Sequence, residues 1–204
     1  MDNQVPKACQ GTATAEHFYQ EYHKYLSKLL DNLDCKAIEE VTKLILEKSR
    51  DGQDIFLVGN GGSAATASHF ATDLVQCSQP EAGLYFRAIS LADNVPLLTA
   101  LSNDKGYEEV FTGQIRNLFH KNDILIAISA SGNSPNVITA ARLAKELGGV
   151  TVGLVGFDGG ELAQICDYVI HAYTKKGEYG PVEDIHLIID HMVTSYLRMK
   201  LSEA

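Results

Sequence analysis

The 204-residue chain has no tryptophan, five prolines, four cysteines and no run of eighteen apolar residues. Without such a run there is no candidate transmembrane helix, and no membrane partner is expected. Cys9, Cys35, Cys77 and Cys166 lie far apart with no short paired spacing. That pattern excludes a zinc knuckle or a disulfide framework and leaves buried or surface thiols. A basic cluster is missing too: 17 Lys and Arg against 26 Asp and Glu give a net charge of -9. Such a surface repels a nucleic-acid backbone, so no nucleic-acid partner is expected. A small phosphate ligand escapes this argument, because backbone amides bind one phosphate without any basic side chain. The leading residues 1–14 are polar and lack the charged-then-apolar order of a secretory signal, so the expected location is the cytoplasm.

What is present is enough for one substantial core, since 45% of the chain is hydrophobic. With no repeat, low-complexity segment or linker, a single domain over residues 1–204 is expected. Residues 15–33 and 37–50 carry apolar side chains at helical spacing, with Phe18, Tyr22, Tyr25, Leu26, Leu29 and Leu30 on one stripe. This N-terminal helical extension, residues 1–50, is expected to pack on the domain or on a neighbouring subunit. Further on, apolar runs at residues 55–58, 86–91, 124–129, 150–156 and 168–172 alternate with helical patterns at 63–75, 108–119, 134–147 and 182–199. Runs apolar throughout are strands buried on both faces. The expected fold class is therefore α/β, a doubly wound, mainly parallel sheet of about five strands, with ligands in the loops that follow the strands.

Two such loops stand out. After Ile55-Phe56-Leu57-Val58 comes Gly59-Asn60-Gly61-Gly62-Ser63, whose glycines allow positive φ and close approach to a ligand, with Ser63 where a helix N-cap belongs. Glycine turns of this kind also serve packing alone, and the G-x-G-x-x-G dinucleotide pattern is not met. After residues 124–128 comes Ser129-Ala130-Ser131-Gly132-Asn133-Ser134, leading into a helix with Ser134 as N-cap and Pro135 at its first position. A cap needs one hydroxyl, and this turn has three. Free amides, hydroxyls and the positive helix end favour an anion there. No Gly-x-x-x-x-Gly-Lys-Ser/Thr and no Gly-x-Ser-x-Gly occurs at either loop, which excludes nucleotide hydrolysis and a serine-nucleophile elbow.

Ionisable residues gather on two helical segments. His69 and Asp73, four apart, face the same way. Glu183, Asp184, His186, Asp190 and His191 crowd an otherwise apolar stretch, where burial requires that they pair, bind metal or do chemistry. By spacing, Glu183, His186 and Asp190 share one face, and His191 lies about 80° from Glu183. His17, His23, His120, His171 and His186 read as structural residues. A set of His69, Asp73, Glu183 and His191 would suit a divalent zinc ion, although spacing alone does not select those four. Tyr179-Gly180-Pro181 reads as a stop at the helix start or as a mobile lid.

Taken together, VGNGGSAATASHFATD, LSNDKGYEEVF, ISASGNSPN, VGFDGGELA and VEDIHLIIDH resemble the sugar isomerase (SIS) domain family over nearly the whole chain, and within it the phosphoheptose isomerases. The resemblance implies a three-layer α/β/α fold and conversion of sedoheptulose 7-phosphate to D-glycero-D-manno-heptose 7-phosphate through an enediolate. It implies that Asn60, Gly61, Gly62 and Ser63 contact the substrate, with Asn103, Asp104 and Glu183 at the site. Ser129, Ala130, Ser131 and Ser134 would hold the phosphate. His69, Asp73, Glu183 and His191 would bind zinc, Asp73 acting as base and His191 as acid. A homotetramer with composite active sites is implied as well. Where the family usually has Glu and Gln, this chain has Asp73 and Glu183. Two alternatives therefore stand: isomerisation of a different phosphosugar, or a non-catalytic SIS module that binds a sugar phosphate or a protein partner as a regulator.

Overall fold

A computed structural model describes residues 5–203; residues 1–4 and 204, which belong to the expected 1–204 unit and in part to its polar leader, lie outside the described residues. Two helices open the described chain. α1 (Ala15–Asp31) begins where the Thr14 hydroxyl accepts the His17 amide, and α2 (Cys35–Arg50) where the Asp34 carboxylate accepts the amides of Lys36 and Ala37. That acidic cap starts α2 two residues before the hydrophobic pattern suggests. The expected strands follow: β1 (Asp54–Val58), β2 (Arg87–Ser90), β3 (Ile124–Ser129), β4 (Val150–Val155) and β5 (Tyr168–His171). They form one sheet in the order β2-β1-β3-β4-β5, and every pairing is parallel.

The connections are α3 (Gly62–Gln76), α4 (Val95–Lys105), α5 (Thr112–Leu118), α6 (Pro135–Glu146), α7 (Leu162–Ile165) and the C-terminal α8 (Tyr179–Ser202). Four differ from the periodicity reading. Neither the four-residue α7 nor α4 was anticipated, and α4 buries none of its residues. The single helix expected over residues 108–119 is a 3-10 turn at Tyr107–Glu109 followed by the short α5, because Gly106 at φ 95° breaks the chain direction just before. Tyr179-Gly180-Pro181 forms the first turn of α8, where proline's missing amide is harmless.

Alternate strand residues build two cores. Ile55, Leu57, Ile124, Ile126, Val152 and Leu154 face α1, α2, α3 and α8, whereas Phe56, Val58, Leu125, Ala127 and Val155 face α4, α5, α6 and α7. The N-terminal extension thus packs on its own sheet. It is pinned by two tyrosines whose hydroxyls donate at 2.5 Å to carboxylates, Tyr22 to Asp184 and Tyr25 to Glu178. From β1 the chain turns outward to β2, then returns past β1 to β3 and runs the other way. The crevice between the carboxyl ends of β1 and β3 is therefore the switch point at which such sheets bind ligands. No described helix is long and apolar enough to cross a membrane.

At the opposite end of the sheet, the buried Asp123 ties the two central strands together. Its Oδ1 accepts the Asp54 amide at 2.9 Å and its Oδ2 the His120 amide at 2.7 Å. Asp123→Ala strands both donors and is expected to lower unfolding free energy by about 2–4 kcal/mol. Urea denaturation measures this, and a loss under about 0.5 kcal/mol, the ordinary scatter of surface changes, would contradict the role.

Candidate active site

Both loops stand at the switch point. Behind β1, Gly59 passes so close to the next turn that a Cβ would lie 2.5 Å from the Ser63 carbonyl oxygen. Gly61, at φ 52° and ψ -122°, occupies the N-cap of α3. The expected cap, Ser63, is instead a buried residue of the first helical turn, because glycine's positive φ lets the helix start earlier. The amides at the start of α3 consequently open into the crevice.

Behind β3, Gly132 has φ 62°, and any side chain there would overlap the Gly159 carbonyl. Ser134 holds the N-cap position of α6, yet its side chain makes no capping bond. Its hydroxyl lies 3.3 Å from that of Ser129. Asn60, Gly61, Gly62, Ser63, Ile128, Ser129, Ala130, Ser131, Ser134, Tyr179 and Glu183 line one cavity of about 170 Å³. One pair staples the two loops: Asn60 Nδ2 donates to Asn136 Oδ1 at 2.8 Å, and Asn136 Nδ2 donates back to Asn60 Oδ1 at 2.9 Å. The Tyr107 hydroxyl adds a third bond to Asn60 Oδ1 at 2.8 Å. Neither Asn136 nor Tyr107 was read as a site residue, though both stand in the quoted motifs. Asn103 and Asp104 sit at the exposed end of α4, bonded to each other at 2.8 Å, and do not line this cavity.

Two helices carry the ionisable set. Glu183 packs over Gly62, where a side chain would overlap its carboxyl, and further along His69 meets His191, with Nε2 to Nε2 at 3.0 Å. Matching contacts at 62 with 183 and 69 with 191 mean that α3 and α8 run parallel. Asp73 Oδ2 lies 3.8 Å from His69 Nε2 and 4.0 Å from His191 Nε2, while its Oδ1 is 3.2 Å from Arg198 Nη2. His69, Asp73, Asp190 and His191 each offer a ligand atom within 4.8 Å of the others. The grouping therefore departs from the one suggested by sequence: Asp190 joins the two histidines and Asp73, and Glu183 lines the loop cavity. The reason is α8's register against Gly62, which spacing along one helix does not reveal. A second group, Asp54, His120 and Asp123, lies at the far end of the sheet, where Asp123 holds strand amides and Asp54 pairs with Arg87.

Burial sets the electrostatics. Asp190 is pushed up to about 7, first by burial and then by the charge of Asp73, with Arg198 opposing. Glu183 is also raised, by burial and by Asp184. His186, wholly buried, is pushed down to about 4, chiefly by burial and against a weaker opposing effect of the Val155 backbone, and remains neutral at pH 7. The donor set of two imidazoles and two carboxylates, one of them with both oxygens unpaired, fits a divalent cation such as zinc.

A parallel α/β sheet with two amide-rich loops at its switch point, beside a cluster of acids and histidines, defines the class: an enzyme-like fold with an anion-binding crevice. The SIS domain profile matches residues 17–156, and the chain belongs to that family. Phosphoheptose isomerase from Aliarcobacter butzleri is 36% identical over 89% of this chain and 94% of its own length. The phosphoheptose isomerase of Aneurinibacillus thermoaerophilus is 37% identical over 81% of this chain and 82% of its own. Among solved structures, the phosphoheptose isomerase from Neisseria gonorrhoeae has a TM-score of 0.75 and 30% identity, covering 90% of this chain and 95% of its own. That from Francisella tularensis has a TM-score of 0.80 and 25% identity, covering 91% and 99%.

The two buried groups on α8 give opposite pH dependences. Below about pH 6.5 the unfolded chain takes up a proton that folded His186 refuses, so its contribution to stability is present above 6.5 and is lost towards pH 4. Asp190 acts the other way, its contribution being lost as pH rises towards about 7. The difference between wild type and His186→Leu isolates the histidine. The variant is expected to match or exceed wild-type stability at pH 7 and to gain on it by on the order of 3 kcal/mol by pH 4. Parallel stability curves from denaturation at each pH would exclude the assignment.

Proposed function

We propose that this chain is an aldose-ketose isomerase that converts sedoheptulose 7-phosphate to D-glycero-D-manno-heptose 7-phosphate. The observation that carries the reading is the single cavity shared by the Gly61 and Ser131 loops at one end of α3, with His69 and Asp73 further along the same helix. Ser63 and His69 are separated by about 9 Å of helix rise, comparable with the length of an extended seven-carbon chain that has its phosphate at one end and its reacting carbons at the other. The loop cavity holds the phosphate through amides and through the hydroxyls of Ser63, Ser129, Ser131 and Ser134, and this remote binding energy positions the far end.

Asp73 takes a proton from C1 of the ketose, and the C–H electron pair becomes the C1=C2 bond. Charge moves to the C2 oxygen, and His191 neutralises it by giving up a proton. Return of the first proton to C2 and loss of the C1 hydroxyl proton leave the aldose. Arg198, 3.2 Å from Asp73 Oδ1, orients the base and leaves Oδ2 for proton transfer. His69, Asp73 and His191 would hold zinc, whose chemistry when bound is stabilisation of negative charge on the substrate oxygens. His191 Nε2 has one lone pair, so coordination and proton donation exclude each other at any one moment.

The same reading makes the protein one SIS unit, cytoplasmic and homotetrameric, with composite sites and neither nucleic-acid nor membrane partners. Its net charge of -9 supports the exclusion of nucleic acid. Self-association is supported by the apolar cleft along edge strand β2, where Val75, Ile89, Leu97 and Leu118 are exposed, and by Asn103 and Asp104, which are exposed and do not line their own chain's cavity. A second reading, isomerisation of another phosphosugar, is favoured by Asp73 and Glu183, which stand where the family usually has Glu and Gln. The presence of His69, Asp73 and His191 argues against a purely regulatory module.

Asp73→Asn and His191→Ala are each expected to lower kcat on sedoheptulose 7-phosphate by about 100-fold or more. Wild-type rates in either would remove that residue's role. An NMR screen of C5 to C7 sugar phosphates, with and without a chelator, is expected to show C1 or C2 proton exchange in the heptose alone; exchange only in a shorter sugar would establish the second reading.

A further inference from the structure

We propose that Asp190 is the fourth protein ligand of the divalent metal, completing a set with His69, Asp73 and His191, and that Glu183 serves the substrate cavity instead. The inference rests on the metal reading given above and goes beyond it by changing the ligand set.

Asp190 has no solvent exposure, and neither of its carboxylate oxygens has a hydrogen-bond partner among the described residues. Burying a carboxyl group without a partner costs several kcal/mol, so its position demands a counterpart. The nearby donors are already used. The Thr194 hydroxyl donates to the Asp190 backbone carbonyl at 2.9 Å, the Cys77 thiol to the carbonyls of Asp73 and Thr194, and Arg198 to Asp73. A cation remains as the group that would satisfy both oxygens.

Distances agree with a shared ion. The two histidine Nε2 atoms are 3.0 Å apart, and the edge of a tetrahedron of zinc-bound nitrogens is about 3.3 Å. Asp73 Oδ2 stands 3.8 and 4.0 Å from the same two atoms, and an Asp190 oxygen lies within 4.8 Å of all three. Charge agrees as well. Two carboxylates and Arg198 sum to minus one, which a divalent ion more than offsets.

Glu183 is poorly placed for the same ion. It precedes His191 by eight residues, about 12 Å of helix rise, and its carboxyl lies over Gly62 at the start of α3, whereas His69 is seven residues further along that helix.

The test is zinc titration of the metal-stripped full-length protein by calorimetry and by competition with a chromogenic chelator, together with thermal melts with and without zinc. Wild type is expected to bind one zinc per chain. Asp190→Asn should weaken it by about tenfold or more, and Glu183→Ala, which removes any ligand at that position, should leave it within about twofold. Asp190→Leu guards against misfolding of the amide variant: it should melt higher than wild type without metal, having lost an unpaired buried carboxyl, and show no zinc-induced rise. Wild-type affinity in Asp190→Asn, or an equal loss in Glu183→Ala, overturns the assignment while leaving the metal reading intact. Failure of the wild type to bind zinc overturns both.

Discussion

Gly62 has no side chain, and α8 lies directly against that bare stretch of backbone through Glu183. Behind that contact, Ala67, Phe70, Ala71 and Leu74 of α3 share one core with Ile185, Ile189, Val193 and Leu197 of α8, and this packing holds the two parallel helices in register. With 62 set against 183, His69 falls opposite His191 and Asp73 opposite Arg198. A methyl group at Gly62 would drive the carboxyl end of Glu183 from its place over the start of α3. The lining of the loop cavity therefore depends on a position that carries no functional group.

Support for that register comes from both sides of α8. Its buried face, with Ile185, Ile189, Val193 and Leu197, packs on the strand residues of one core. Its first turns are held by Tyr22 and Tyr25 of α1 through Asp184 and Glu178. The N-terminal helices, which look like an appendage in the sequence, thus act as a brace for the helix that carries His191. Both site loops are likewise held from behind, Gly59 by the turn at Ser63 and Gly132 by Gly159.

Much of the fold was legible because its signals are local. Strands buried on both faces appear as continuous apolar runs, and the glycine and serine turns after β1 and β3 announce themselves by composition. α4 escaped because Leu98 and Leu101 pack on only one side of a helix whose other residues are exposed, although Asn94, whose side chain accepts the Leu97 amide, followed by Pro96, is a helix-start signal. The site was legible in its residue types but less so in its grouping. Periodicity puts Asp190 on the face shared by Glu183 and His186, as is correct for one helix in isolation. Which of them meets His69 is decided by contact with a second helix, and no spacing rule within one helix contains that information.

The amide pair between Asn60 and Asn136 joins residues 76 positions apart in the chain into one reciprocal unit. Each side chain supplies the donor that the other's acceptor requires, so replacing one leaves a half-buried orphan in its partner, and the two losses do not simply add. Energetically the pair therefore counts as one unit, and the two loops it joins are clamped to each other at a single point of the crevice.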